Sequence, residues 1–184
     1  METAQLIALL AFMVLAILVA LIAVRAGSLL NRTRVAENFR GDVDDLARRV
    51  ETSLGDMSVL IDRVRRRDAE PETIEASLVA ARDAVDRYAD EARALAGPTI
   101  AGAHRDGMVH ELERAGRALE LVAYGTTLSG TGRRLERGAE AETAIKRGYL
   151  NLVHARESLA EHAKLAVEQA EQASPARRFH RRQP

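Results

Sequence analysis

LIALLAFMVLAILVALIAV, residues 6–24, is nineteen residues long and has no polar side chain. As a helix rising 1.5 Å per residue it is about 28 Å long, close to the roughly 30 Å hydrocarbon core of a bilayer. Thirteen of the nineteen are Leu, Ile, Val or Phe. On an insertion scale each of these favours the bilayer by roughly 0.3–0.6 kcal/mol near the midplane. A helix packed on one side in water needs an apolar stripe, not an apolar circumference. The stretch therefore predicts a transmembrane anchor that contacts membrane lipid through Leu6 to Val24.

The flanks set the kind of anchor and its direction. Ala26, with Val24 at the −3 position, would pass as a signal-peptide cleavage site. However, Met1 to Gln5 carries Glu2 and no Lys or Arg, so the basic region of a signal peptide is missing, and the apolar run exceeds the usual length. A retained signal anchor is expected. Arg25, Arg32, Arg34 and Arg40 follow the run. Cytoplasmic flanks carry the Lys/Arg excess, which places the N-terminus outside and the rest of the chain at the cytoplasmic face of the cell membrane. Ala16, Ala20, Ala23 and Gly27 share one helix face, which could let two helices approach closely.

The chain's 27 basic and 27 acidic residues cancel, a balance that argues against a dedicated nucleic-acid binder. Without cysteine there are no disulfides, thiolate nucleophiles or zinc–thiolate sites. Arginine far outnumbers lysine and alanine is abundant, a bias that suggests a GC-rich, bacterial genome. Aromatic residues make up 3% and Trp is absent, so any core is built of Leu, Val, Ile and Ala. Alanine buries little apolar area, so such layers stabilise less than Leu or Phe layers.

Beyond the anchor there is no sustained strand alternation, and helical spacing dominates. Phe39, Val43, Leu46, Val50, Leu54, Met57, Ile61 and Val64 form one stripe on a helix that could be continuous with the anchor, weakened at Gly41 and Gly55. Arg65-Arg66-Arg67 suits its C-terminus. After the break at Pro71, Ile74, Leu78, Ala81, Val85, Tyr88, Ala92 and Leu95 step four and three until Gly97-Pro98. A third stripe runs Met108, Leu112, Ala115, Leu119, Val122, Thr126; it enters the glycine-rich segment 125–132 and is expected to continue, weakened, to near Gly138. The last helix carries Ile145, Tyr149, Leu152, Leu159, Ala163, Ala166 and Ala170, with Arg156 at one core position. Ala163, Ala166, Ala170 and Ala173 imply very close helices or a missing partner, and tethering to a membrane favours the second, with packing completed by association.

The expected fold is all-α: a transmembrane anchor and juxtamembrane segment over 1–32, an antiparallel four-helix bundle or coiled coil over 33–174, and a basic, disordered tail over 175–184. In the tail Arg177, Arg178, Arg181 and Arg182 surround Phe179 and could attract anionic lipid.

No residue pattern carries a chemistry. Gly125 and Gly130 have the spacing of a phosphate loop, but Thr131 stands where Lys is needed and no strand leads in. His104, His110, His154 and His162 lie among Glu111, Glu113, Glu157 and Glu161. The Glu-x-x-His pair of bundle metal sites is absent, and only His154 and Glu157 have the reverse order. Ser129 and Ser158 show no base or orienting group. With a turn near Gly138, Tyr124 and Tyr149 are expected at similar heights on adjacent helices, packed in the core. No catalytic, cofactor-binding or metal residue is assigned, and no enzyme activity is expected.

One N-terminal span followed by a long-helix bundle, with Leu29-Leu30-Asn31-Arg32 at the junction, is similar in plan to LemA-type bacterial membrane proteins. The expected function is that of a tether or scaffold for protein partners at the cytoplasmic membrane face, with a protein partner or self-association and no nucleic acid. The alternative is a membrane-bound signalling or sensor module.

Overall fold

The computed structural model describes the backbone of residues 2–130 and 135–173. Among the described residues there is no strand. The elements are α1 (Glu2–Arg65), a 3-10 turn over Pro71–Ile74, α2 (Glu75–Ala94), a second 3-10 turn over Thr99–Ala101, α3 (Gly102–Gly130) and α4 (Leu135–Ala173). The sixty-four residues of α1 make it about 96 Å long.

Burial divides α1 in two. Ala36 is its first described buried residue, and from Phe39 to Val64 all eight residues of the predicted stripe are at most 6% exposed. This part packs on α2 and α4, while α3 packs on α2 and α4 from the opposite corner, so each helix has two neighbours in an antiparallel four-helix bundle. The α2 stripe is buried from Ile74 to Leu95 except for half-buried Tyr88, and the α3 stripe is buried from Met108 to Thr126. Glu–Arg pairs mark the register between helices: Arg49 with Glu91 and Arg82 with Glu120 on α2's two sides, and Arg40 with Glu171 between α1 and α4. These pairs are largely exposed, so they align the helices and stabilise them little.

Each helix end has a local cause. Arg67 N–H donates to the Val64 carbonyl at 3.0 Å and Asp68 N–H to the Arg63 carbonyl at 2.8 Å, the paired bonds of a Schellman C-terminus. Arg67 holds the left-handed position of that motif with φ 65°, where glycine is the unstrained residue. Pro71 opens the following 3-10 turn, where its missing N–H is no loss. At the α2–α3 connection the Phe39 ring lies on Gly97, so that a Cβ there would fall 2.4 Å from Cδ2.

The α3–α4 seam departs from the expected register. The helix predicted to run to Gly138 ends at Gly130, and α4 begins at Leu135. Gly132 and Thr131 lie outside the described residues. The chain direction reverses between those ends, and Gly125 then seats Ile145 while Gly148 seats Val122. A Cβ on Gly125 would lie 2.9 Å from the Ala141 carbonyl oxygen, and one on Gly148 would lie 2.8 Å from that of Ala118. Such contacts require two backbones in near-van der Waals contact. Tyr124 and Tyr149 are therefore not level, and Tyr124 is not in the core: it is 49% exposed and donates to Glu140 Oε1 at 2.9 Å. Tyr149 is half-buried with the Arg65 guanidinium 5.2 Å from its ring centre.

The alanines of α4 find their partners inside the chain. Ala163 is 4% exposed and Ala166 and Ala170 are fully buried, so close helices and not a missing partner account for them. Arg156 leaves the core position to Ala155 and reaches Glu51 on α1 at 3.4 Å, laying its stem along the helix surface.

Two measurements test these local causes. In the open interior of α1, Gly41→Ala should stabilise the bundle by about 0.5–1 kcal/mol, whereas Gly148→Ala should cost about 1–3 kcal/mol through overpacking. Denaturant unfolding of the two variants should give opposite signs. Separately, Arg67→Gly should stabilise by about 0.5–1 kcal/mol, because relief of the left-handed strain outweighs an exposed ion pair to Glu142. Equal or lower stability of that variant would contradict the strained C-terminus.

Candidate functional site

Two regions bring chemically capable side chains together. The first joins the start of α3 to the last third of α4. His104 Nδ1 lies 3.3 Å from His162 Nδ1, and His104 Nε2 lies 2.9 Å from the Gln169 amide nitrogen. All three side chains are half-buried. The ring centres are 5.6 Å apart, longer than the nitrogen separation by close to two ring radii, so the imidazoles meet end to end. That is the geometry of one N–H donating to one lone pair. An ion on the same line would sit about half of 3.3 Å from each nitrogen, inside the roughly 2.0–2.1 Å of a zinc–nitrogen bond. Chelation would require both rings to turn.

Gly107 makes this pair possible. A Cβ there would lie 2.6 Å from His162 Cε1 and 2.7 Å from Nδ1, so the imidazole occupies the volume of the missing side chain. A glycine inside a helix costs about 1 kcal/mol against alanine, and here it seats a ring. The Gln169 Oε1 atom is buried without a partner. With donor and acceptor assigned as drawn, the order is Gln169 N–H to His104 to His162, a chain of three side chains tying α3 to α4.

The second region is the far end of the bundle. A cleft of about 310 Å³ opens between Val64, Arg67, Pro71, Ser129, Glu142 and Ile145. Beside it a wider groove of about 480 Å³ runs between α1 and α4, lined by Val59, Asp62, Arg63, Arg66, Tyr149 and Arg156. Arg66 is held by Asp62 at 2.6 Å and Arg156 by Glu51 at 3.4 Å. The Arg65 guanidinium beside Asp62 holds that carboxyl below its ordinary value. Ser129 Oγ donates to the Gly125 carbonyl at 3.0 Å and is thus committed within its own helix. Arg66, Arg67 and Arg156 each face a carboxylate.

The other singled-out residues stay apart. His154 faces Glu157 at 3.9 Å with both side chains about two-thirds exposed, and His110 is exposed on α3. Among the described residues no group of three or more His, Cys, Asp or Glu could hold a metal ion. Gly125 and Gly130 belong to α3, with no strand before them among the described residues. Glu140 acts on Tyr124 by accepting its hydrogen bond, which raises the phenol above its ordinary value.

The N-terminal half of α1 is the remaining surface of note. Of residues 6–24 the structure describes the side chains of Met13, Leu15 and 17–22, and all are exposed. The large ones range from 50% for Met13 to 63% for Leu21. Six consecutive helical residues cover the whole circumference, so no side of this segment rests on the bundle. Among the described residues no helix is long and apolar enough to cross a membrane; the span over Leu6 to Val24 rests on the sequence.

Fold and surfaces together define the class: an antiparallel four-helix bundle whose first helix continues beyond it as an apolar extension. No protein-family model, curated protein or solved structure matches the chain.

A double-mutant cycle tests the seating of His162. Gly107→Ala alone should destabilise by about 1–3 kcal/mol. In a His162→Ala background the same change should become neutral or stabilising, because the ring it collides with is gone. Additive effects of the two substitutions would mean that the ring does not occupy the glycine's space.

Proposed function

We propose that the protein is a single-pass, membrane-anchored helical bundle that acts as a tether or scaffold for protein partners at the cytoplasmic face of the membrane. One observation carries the proposal: large apolar side chains exposed all round a helix that runs unbroken into a well-packed bundle. Each such side chain left in water forfeits about 1.5–3 kcal/mol of burial. Lipid is the solvent that removes this cost on every side at once, and the apolar length from Leu6 to Val24 suits a bilayer. The arginines after Val24 set the N-terminus outside. A tether needs only the anchor, the bundle's polar surface and no chemistry.

A second reading is favoured by the continuity of α1. Helical backbone extends from Glu2 to Arg65, so a rotation or tilt of the anchor would be transmitted into the bundle core at Phe39 and Val43. In that reading the protein is a signalling or sensor module. A sensor gains thermal stability from its ligand; a tether does not.

The test is flotation and topology of the full chain. The protein is expected to float with neutral vesicles and to resist extraction by carbonate and high salt. A reporter active only in the cytoplasm, fused after Pro184, is expected to be active in cells. A protein that stays in the dense fraction would refute the anchor, and a stable but silent reporter would reverse the orientation.

A further inference from the structure

Two imidazoles fifty-eight positions apart in sequence meet between the start of α3 and the last third of α4. Their Nδ1 atoms are 3.3 Å apart, long for an N–H donor and its acceptor, which settle at about 2.9–3.0 Å. The same separation fits a second arrangement. Two zinc–nitrogen bonds of about 2.0–2.1 Å that meet at the tetrahedral angle hold their nitrogens about 3.3–3.4 Å apart. An ion placed off the nitrogen–nitrogen line therefore needs no movement of either nitrogen. Each ring has only to pivot about its Nδ1 by about 35°, until its lone pair points at the ion and not at the other ring. Gly107 has no side chain to stand in the way of His162, and both rings are half-buried, so water reaches the pair.

We propose that His104 and His162 bind one zinc ion through their Nδ1 atoms, with Gln169 as the residue that orients His104. A neutral imidazole carries one proton, so a ring that ligates through Nδ1 keeps it on Nε2. A ligating histidine usually gives that second N–H to a carbonyl or a carboxylate, which fixes its tautomer and its direction. The Gln169 amide lies 2.9 Å from His104 Nε2, in the place such a partner takes. With the amide turned over, Gln169 Oε1, which otherwise is buried without a partner, accepts the Nε2 proton. Zinc binding thus moves the His104 proton from Nδ1 to Nε2, and His162 keeps its own on Nε2. Among the described residues no third His, Cys, Asp or Glu completes the set, so water takes the remaining positions on the ion. Imidazole ligands suit zinc, copper and nickel, whereas magnesium and calcium take oxygen. The ion joins α3 to α4 by two metal–nitrogen bonds in place of one long hydrogen bond. The site lies within the bundle and stands or falls apart from the membrane anchor.

Zinc chloride titrated into the full chain in mild detergent tests the site, by calorimetry and by thermal unfolding. One ion per chain is expected, and saturating zinc should raise the unfolding midpoint by about 5 °C or more. EDTA should reverse the shift, and magnesium should not produce it. His104→Ala and His162→Ala should each abolish the binding, while His154→Ala, at an exposed position of α4, should leave it intact. His104→Gln, which keeps a polar side chain in place, is expected to stay folded and to lose zinc as well. Gln169→Ala should weaken binding by about 10–100-fold with helix content unchanged. Circular dichroism of the zinc-free variants separates the loss of a ligand from the loss of the fold. No zinc uptake by the folded chain, or equal uptake by the chain and by its folded His104 and His162 variants, would overturn the site.

Discussion

A close backbone approach between α3 and α4, at Gly125 and Gly148, is the constraint on which the rest of the bundle depends. Neither position has room for a Cβ without a collision with the facing carbonyl, so the two helices can meet in this register and in no neighbouring one. Slide α4 by one turn and Ile145 and Val122 would meet side chains instead of glycines. Everything at both ends of the seam follows from that lock. It places His162 over Gly107 and against His104. The glycines lower helix propensity in α3 and α4 by up to about 1 kcal/mol each. They are offset by the dispersion contacts that close-packed backbones gain.

The same lock separates what the sequence made legible from what it hid. Every large apolar residue of the three stripes at Phe39–Val64, Ile74–Leu95 and Met108–Val122 is buried apart from half-buried Tyr88, because a period of 3.6 is a local property of each helix. Register is not local. Placing the turn near Gly138, when α3 stops at Gly130 and α4 starts at Leu135, displaces each α3 residue's partner by roughly two turns. That error alone put Tyr149 level with Tyr124 and kept His104 from His162. The glycine pattern held the missing information. Gly107, Gly125 and Gly148 are each spent on a facing side chain or carbonyl, and matching them across an antiparallel hairpin would have set the register. Arg67 was hidden for another reason: a Schellman end without glycine leaves no trace in sequence, and Arg65-Arg66-Arg67 read only as charge favourable to a helix C-terminus.

Alanine in the core changes what a partner would have to do. In α4 Ala155, Ala163, Ala166 and Ala170 are all at most 4% exposed, so small side chains here shorten the distance between helices and leave no unfilled face. These four alanines are packed within the chain itself. On the outer surface the described large apolar residues that are exposed include Val59 on α1, Val79 on α2, Ile100 in the second 3-10 turn, Tyr124 on α3 and Leu150 on α4. Scattered residues of this kind are ordinary on a protein surface and define no docking patch. Weak contacts between such surfaces become consequential only when the chains share a membrane, where tethering raises their effective concentration.

Continuity of α1 ties that point to mechanism. One helix passes from a segment exposed on all sides at residues 17–22 to a segment buried along one stripe from Ala36 onward. A flexible junction would uncouple anchor from bundle and leave the bundle free to rotate. A continuous helix does not, because bending it requires breaking backbone hydrogen bonds that nothing nearby replaces. The Arg40 side chain sharpens this: its Nε is buried without a partner, while its terminal nitrogen pairs with Glu171. Orienting α1 therefore orients α4's last turn as well. On the proposed reading, a tether built this way would present its partners with a fixed face of the bundle, and a relay would require the same rigidity. Tether and relay thus share one structure and differ only in whether the orientation of α1 ever changes.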